Sequence, residues 1–317
     1  MADVKDAAIA VDLGGTNLRM AVVDKSRNVI HGSRRPTPRD RDSIINTIAS
    51  LVEEGLSYCV SSGIDAIGVG VATGGRVDFV NGVIVDSTAL IPGWKDIHLK
   101  AILQERFGRP TFVDNDGNCF AVAEHLFGKA RGVNNFISVV LGTGIGGGIY
   151  VSGKILRGSK NFAAEIGHVS VDANGPVCSC GGRGCIELYA SGSGIARLAS
   201  SDSHLQHLQS EGGPISSKTI GEAARGGDQA AIALLDGAGQ KLGIAMAGLV
   251  NVFNPESLIV SGSLAELEYP FLQQLRKTVM EFAMRSNSID LRIEISDFPT
   301  EGGILGAAAL AFEETAK

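Results

Sequence analysis

The sequence predicts an α/β protein of two domains, on three observations. A chain of 317 residues is long for one core, so two domains are the natural expectation. Apolar residues make up 44% of it and there are 42 glycines, which suits buried strands joined by many tight turns. Short buried-strand patterns also alternate with stretches of helical apolar spacing, and a strand–glycine turn–strand pattern occurs twice.

Residues 7–12 (AAIAVD) are an apolar run ending in an acid, followed by LGGTN and then by residues 18–24 (LRMAVVD). This reads as a β-hairpin with a glycine turn. Gly14 and Gly15 permit close approach of backbone to a ligand, Thr16 and Asn17 add donors, and such a loop can face a phosphate. Asp12, at the strand end, could hold Mg2+ through water, since Mg2+ favours few carboxylates plus phosphate. Taken alone, a Gly-Gly hairpin is equally well explained as turn chemistry.

Residues 43–61 have helical spacing (Ile44, Ile45, Ile48, Leu51, Val52), and residues 64–72 read as a buried strand. TGGRV at 73–77 turns at that strand's end, where functional loops commonly sit in α/β sheets. Arg76 there points into a cleft or is simply solvated. A short strand at 83–86 precedes Ser87 and Thr88, Trp94 has packing as its default role, and 99–107 is a short helix. The strand at 110–113 runs into DNDGN at 114–118, and 119–127 is helical with Gly128 as its stop. Asp116 falls in the cap region of that helix. It is an N-cap, as Asp and Asn often are, or a general base kept ionised by the helix terminus, with Asn115 beside it to orient a hydroxyl. The residues alone leave both readings open.

Residues 135–141 form a strand, then GTGIGGG at 142–148, then a strand at 149–151. No Gly-Lys-Ser/Thr follows, so this is not a Walker motif, and strand residues rather than a helix follow the glycines, against a Rossmann fingerprint. Two such hairpins fit a nucleotide held between two similar domains.

Residues 165–187 (EIGHVSVDANGPVCSCGGRGCIE) hold His168, Cys178, Cys180 and Cys185 in the spacing His-x9-Cys-x-Cys-x4-Cys. One imidazole and three thiols supply the four donors that tetrahedral Zn2+ prefers, and a full shell indicates a structural site. Three cysteines cannot pair evenly as disulfides; reactive thiols in a flexible loop are the other alternative. Glu165 and Glu187 bracket the set and are candidates for holding something polar. Cys59 and Cys119 lie in apolar patterns and read as buried small residues. Five cysteines with a metal site argue for a reducing, cytoplasmic setting. A net charge of −6 gives no electrostatic footprint for nucleic acid or an anionic membrane. No apolar run reaches the length of a spanning helix, and the N-terminal residues do not resemble a signal peptide. Further on, 200–217 is polar and reads as a surface connection. Helices are expected at 220–224, 229–253, 270–284 and 303–314, with a strand at 291–295.

These motifs together resemble the ROK family of sugar kinases, within the actin/hexokinase-like superfamily. DLGGTN resembles its first phosphate motif, GTGIGGG its second, LIVSGS at 258–263 its adenosine motif, DNDGN its catalytic segment, and Glu165-x-x-His168 with CSCGGRGC its zinc loop. The resemblance runs to GGILGAAALA near the C-terminus. It implies two actin-like (ribonuclease H-like) domains with mixed sheets flanked by helices and a cleft between them. The small domain is expected over 1–115 plus about 300–317, the large one over 116–299 with the zinc loop at 165–187.

The resemblance further implies Mg2+-dependent transfer from ATP to a sugar 6-hydroxyl, with Asp116 as general base. Asn115, Glu165, His168 and Glu187 would bind sugar hydroxyls, His168 giving one ring nitrogen to zinc and the other to the sugar. Asp12, Gly14, Gly15, Thr16, Asn17, Gly142, Thr143, Gly144 and Gly262 would hold the nucleotide and its metal. A homodimer is implied as well. ATGGRV, DSTALIPGW and VDNDGNC resemble the kinase domain of animal N-acetylmannosamine kinases more than the Pro-Gly and Asn-Leu pairs of many ROK glucokinases. Gly75, Arg76 and Thr88 then map onto substrate contacts. N-acetylmannosamine is therefore the first expectation and glucose the alternative, with ATP or polyphosphate as donor. ROK repressors form a different class, with a helix-turn-helix ahead of the sugar domain; the first phosphate motif at Asp12 is expected to leave no room for one. Asp12 and Asp116 together speak against a non-catalytic sensor.

Overall fold

The computed structural model describes residues 6–87, 91, 93–209 and 215–316; Thr88 lies outside them. In chain order the elements are β1 (Asp6–Leu13), β2 (Asn17–Asp24), β3 (Val29–Pro36), α1 (Arg41–Ser62), β4 (Asp65–Thr73), β5 (Arg76–Asp78), β6 (Val83–Asp86), α2 (Leu99–Phe107), β7 (Thr111–Asn115) and α3 (Asp116–Phe127). There follow β8 (Phe136–Leu141), β9 (Ile145–Val151), β10 (Lys154–Ile155), α4 (Glu187–Ala190), α5 (Gly192–Ser201), α6 (Ser217–Arg225) and α7 (Gln229–Phe253). The chain closes with β11 (Ser257–Ser261), α8 (Gln273–Phe282), α9 (Arg285–Ser288), β12 (Arg292–Ile295) and α10 (Gly302–Thr315).

The chain divides into two compact units. The first comprises Met1–Gly132, Ile155–Ala164 and Glu301–Lys317, the second Val133–Lys154 and Glu165–Thr300. The boundary expected after residue 115 falls after Gly132 instead, because α3 packs along α10. A Cβ on Gly306 would stand 2.0 Å from the Cys119 carbonyl oxygen, and one on Gly70 of β4 would stand 1.8 Å from that of Ala307, so α10 lies in backbone contact with both. Gly306→Val should therefore cost about 1–3 kcal/mol or more through overpacking. An unchanged urea midpoint would refute that packing.

The first unit's sheet has the order β3-β2-β1-β4-β7. β1 pairs antiparallel with β2 and parallel with β4, and β4 pairs parallel with β7. Ile9, Val11, Met20, Val22, Val69 and Val71 are buried with Ile48 and Val52 of α1, the apolar alternation of each element meeting that of its neighbour. The second unit's sheet has the order β10-β9-β8-β11-β12. There β8 pairs antiparallel with β9 and parallel with β11, which pairs parallel with β12. The two sheets thus repeat one strand order, each starting from a glycine-turned hairpin. This is the α/β class with mixed sheets that the sequence implied.

Among the elements that escape sequence reading are β3 and α5. β3 is an exposed edge strand without alternating apolar residues, and α5 begins with GSG and is short. Conversely, the glycines at 146–148 lie inside β9 rather than in the turn. Trp94 is buried, and its Nε1–H donates to Thr73 Oγ1 at 2.9 Å, fixing the loop that follows β4. Cys59 and Cys119 are buried free thiols. No helix among the described residues is long and apolar enough to cross a membrane.

Candidate functional site

The first glycine turn is closed by Gly14 N–H donating to Asn17 O at 3.0 Å and is held from outside by Thr37, whose hydroxyl donates to Gly14 O at 2.7 Å and whose N–H donates to Thr16 O at 2.9 Å. Arg34 donates to Asn17 Oδ1, while Thr16 is exposed. Asp12 and Arg19 are cross-strand partners in the β1–β2 register, and Arg19 donates through Nε and Nη2 to Asp12 Oδ2, at 3.0 and 2.5 Å. An ideal Cβ on Gly303 would lie 2.9 Å from Asp12 Oδ1, so the first turn of α10 also faces this carboxylate.

The β7–α3 junction assigns the capping role. The N-cap is Asn115: its Oδ1 accepts from Gly117 N–H at 2.8 Å and Asn118 N–H at 3.4 Å. Asp116 is the first helical residue, half-buried, with Oδ1 accepting the Gly117 N–H at 2.8 Å. The capping reading therefore passes to its neighbour. Asn115 also donates through Nδ2 to Gly75 O at 2.9 Å, which ties the TGGRV turn to the junction. Both ends of that side-chain amide are engaged by protein. Arg76 is exposed, pairs with Asp86 through Nε at 2.7 Å, and lies over the Phe162 ring.

In the second unit, Gly142 N–H donates to Gly144 O at 3.0 Å and closes the other turn. Glu187 Oε2 accepts the Ile145 N–H at 2.9 Å. Gly192 N–H donates to Gly142 O at 2.8 Å, and the Ser193 hydroxyl donates to Thr143 O at 2.7 Å. The start of α5 and the carboxylate of α4 thus set the turn's shape. Gly262 follows β11 with φ of 89°, and its Cβ would stand 2.3 Å from Leu141 O, so this position beside the turn requires glycine.

His168, Cys178, Cys180 and Cys185 bring their ligand atoms within 4.8 Å of one another. Cys178 Sγ lies 3.7 Å from His168 Nδ1, and the sulfurs of Cys180 and Cys185 are 3.6 Å apart. Zinc–sulfur bonds of about 2.3 Å at tetrahedral angles give ligand separations of about 3.7 Å, so these four residues fit Zn2+. Burial and the neighbouring thiols push the Cys185 thiol up to about 12, while the Gly182 N–H draws that of Cys180 down. His168 Nε2 faces Glu165 Oε2 at 3.9 Å, so the ring turns Nδ1 to the thiols and Nε2 toward the acid.

Three features lay outside sequence reading: the Arg19–Asp12 pair, the clasp of Glu187 and Ser193 on the second turn, and a buried pair of Arg157 with Asp114. Only the first had a local signal, an acid and a base at facing hairpin positions.

Two units of one strand order, each opening on a glycine-turned hairpin, define the actin/hexokinase-like class. Within it, the chain belongs to the ROK family, which it matches over residues 8–314. It is 34% identical over 313 residues to a glucokinase of Thermotoga maritima, across 96% of this chain and 97% of that one. A ROK family glucokinase from Streptomyces griseus, solved in complex with glucose and AMPPNP, is similar with a TM-score of 0.83 and 30% identity, over 97% of this chain and 99% of that one. The xylose repressor of Bacillus subtilis is 32% identical over 285 residues, 89% of this chain and 68% of that protein.

Proposed function

We propose that this chain is a sugar kinase that transfers the γ-phosphoryl group of ATP to the 6-hydroxyl of an N-acetylhexosamine, N-acetylmannosamine first. The observation that carries the catalytic part is the division of labour at the β7–α3 junction. Asn115 takes the capping duty, and Asp116 presents its carboxylate from the helix's first residue. As general base it accepts the hydroxyl proton as the sugar oxygen attacks phosphorus in line, and the ADP oxygen leaves.

Phosphoryl transfer needs mainly positioning and charge neutralisation. The turns at Gly14, Gly15, Thr16 and Asn17 and at Gly142, Thr143 and Gly144 would turn to phosphate oxygens the backbone N–H groups not spent in closing them by Gly14 and Gly142, and Gly262 lies beside the second. Asp12 would hold Mg2+, which neutralises phosphate charge when bound. Asn115, Glu165, His168 and Glu187 would contact sugar hydroxyls, with Gly75, Arg76 and Thr88 as further substrate contacts. His168, Cys178, Cys180 and Cys185 would hold a structural Zn2+ that fixes the aim of the imidazole. The protein would act in the cytoplasm, as a homodimer.

The N-acetylhexosamine reading rests on ATGGRV and DSTALIPGW; the bond from Asn115 to Gly75 O ties the TGGR turn to the β7–α3 junction, which is compatible with it. Glucose is the second reading, favoured by the 34% identity to a glucokinase. The test is ADP release with Mg-ATP against glucose, mannose, N-acetylglucosamine, N-acetylmannosamine and glucosamine. The highest kcat/KM is expected for N-acetylmannosamine. A preference for glucose keeps the kinase and discards the acyl-group reading. Absence of turnover with every sugar, and with polyphosphate in place of ATP, points to the regulatory class that includes the xylose repressor.

A further inference from the structure

We propose that Arg157 is a positioning residue for phosphoryl transfer, neutralising buried Asp114 so that the Asn115–Asp116 junction keeps its geometry. The inference rests on Asp116 being the base of a sugar kinase. Asp114 is fully buried, and the Arg157 side chain is only 15% exposed. One carboxylate oxygen of Asp114 accepts from Arg157 Nη1. The other accepts from Asn118 Nδ2 at 3.0 Å and from Asn115 N–H at 2.8 Å. The carboxylate thus grips the chain on both sides of Asp116 without touching the reacting atoms.

Arg157 reaches this place on residues 155–164, an excursion that rejoins the first unit. Its guanidinium stacks over the Phe79 ring at 3.4 Å from the centroid. The excursion is held by Asn161 Nδ2 donating to Asp78 Oδ1 at 2.9 Å and by Ala163 N–H donating to Arg157 O at 3.0 Å. An aromatic face and a carboxylate fix the guanidinium in one orientation, which a flexible ammonium does not reproduce.

A charged group left buried without its partner is strongly destabilising where it stands, so the surroundings rearrange to relieve it. Burial pushes the Cys119 thiol up, and the fields of Asp114, Asp116 and Asp12 push it the same way while that of Arg157 opposes them. Asp12 has Arg19 as its own partner. Without Arg157, Asp114 is an anion next to the base that has lost its ion-pair partner, and its relief moves the two asparagines that flank Asp116.

Arg157→Met is the direct test. It is expected to lower kcat about 10–100-fold, the effect of a small misplacement of a reacting group, with KM for ATP changed by less than about 2-fold. The double variant Arg157→Met/Asp114→Asn removes the charge that needs neutralising and keeps acceptors for Asn115 and Asn118; it is expected to regain most of the lost kcat. Wild-type kcat in Arg157→Met overturns the inference. If that variant does not fold, the double variant decides: a folded double variant with near-normal kcat supports the charge account, and one as poor as a scaffold loss overturns it. Wild-type protein inactive on the whole sugar panel overturns the kinase reading and this inference with it. Wild-type activity with an indifferent Arg157→Met overturns this inference alone.

Discussion

Asp116→Asn is expected to lower kcat by about 10²–10⁴-fold with folding intact, the range for losing a general base. Asparagine keeps the size of the side chain and can still accept the Gly117 N–H that Asp116 Oδ1 takes at 2.8 Å. The N-cap is untouched, because Asn115 provides it. The substitution therefore removes basicity and little else. Steady-state turnover on the preferred sugar, with circular dichroism and sugar affinity as controls, reads the effect. Near-normal turnover by a correctly folded variant would sink the assignment. A loss confined to KM would make Asp116 a sugar contact whose proton goes elsewhere.

Cys180→Ser is expected to lower kcat/KM for the sugar by about 10²-fold or more, since substitutions even outside a metal's ligand shell cost about 10–100-fold. Cys180 is the exposed member of the cluster, so serine leaves the packing of buried Cys178 and Cys185 largely in place. What would be lost is one thiolate of the proposed zinc site. The consequence travels along the chain. His168 would lose the metal that pins Nδ1 and aims Nε2 toward Glu165, and Cys185 lies two residues before Glu187, which holds the turn at Ile145. Metal content and sugar affinity are measured on the same preparation. A metal-free variant with normal kinetics would separate the cluster from sugar binding.

Sequence and structure divide this account unevenly. Hairpin turns, buried strands and long helices were legible because each depends on residues a few positions apart. The family resemblance was legible for the same reason: DLGGTN, DNDGN, GTGIGGG and the cysteine loop are local strings. β3 was missed because an exposed edge strand has no buried face to impose alternation. The boundary after residue 115 was misplaced because only α10, some two hundred residues on, shows where α3 packs.

The sequence by itself determined the fold class, the two glycine hairpins and the one-histidine, three-cysteine spacing, all products of short-range periodicity and donor chemistry. The tertiary structure alone decided that Asn115 rather than Asp116 caps α3, since capping depends on backbone dihedrals at the junction. It alone joined Glu187 to Ile145 and Arg157 to Asp114, partners 42 and 43 residues apart. Contacts at that separation are set by how sheets and helices pack, and no local pattern carries them.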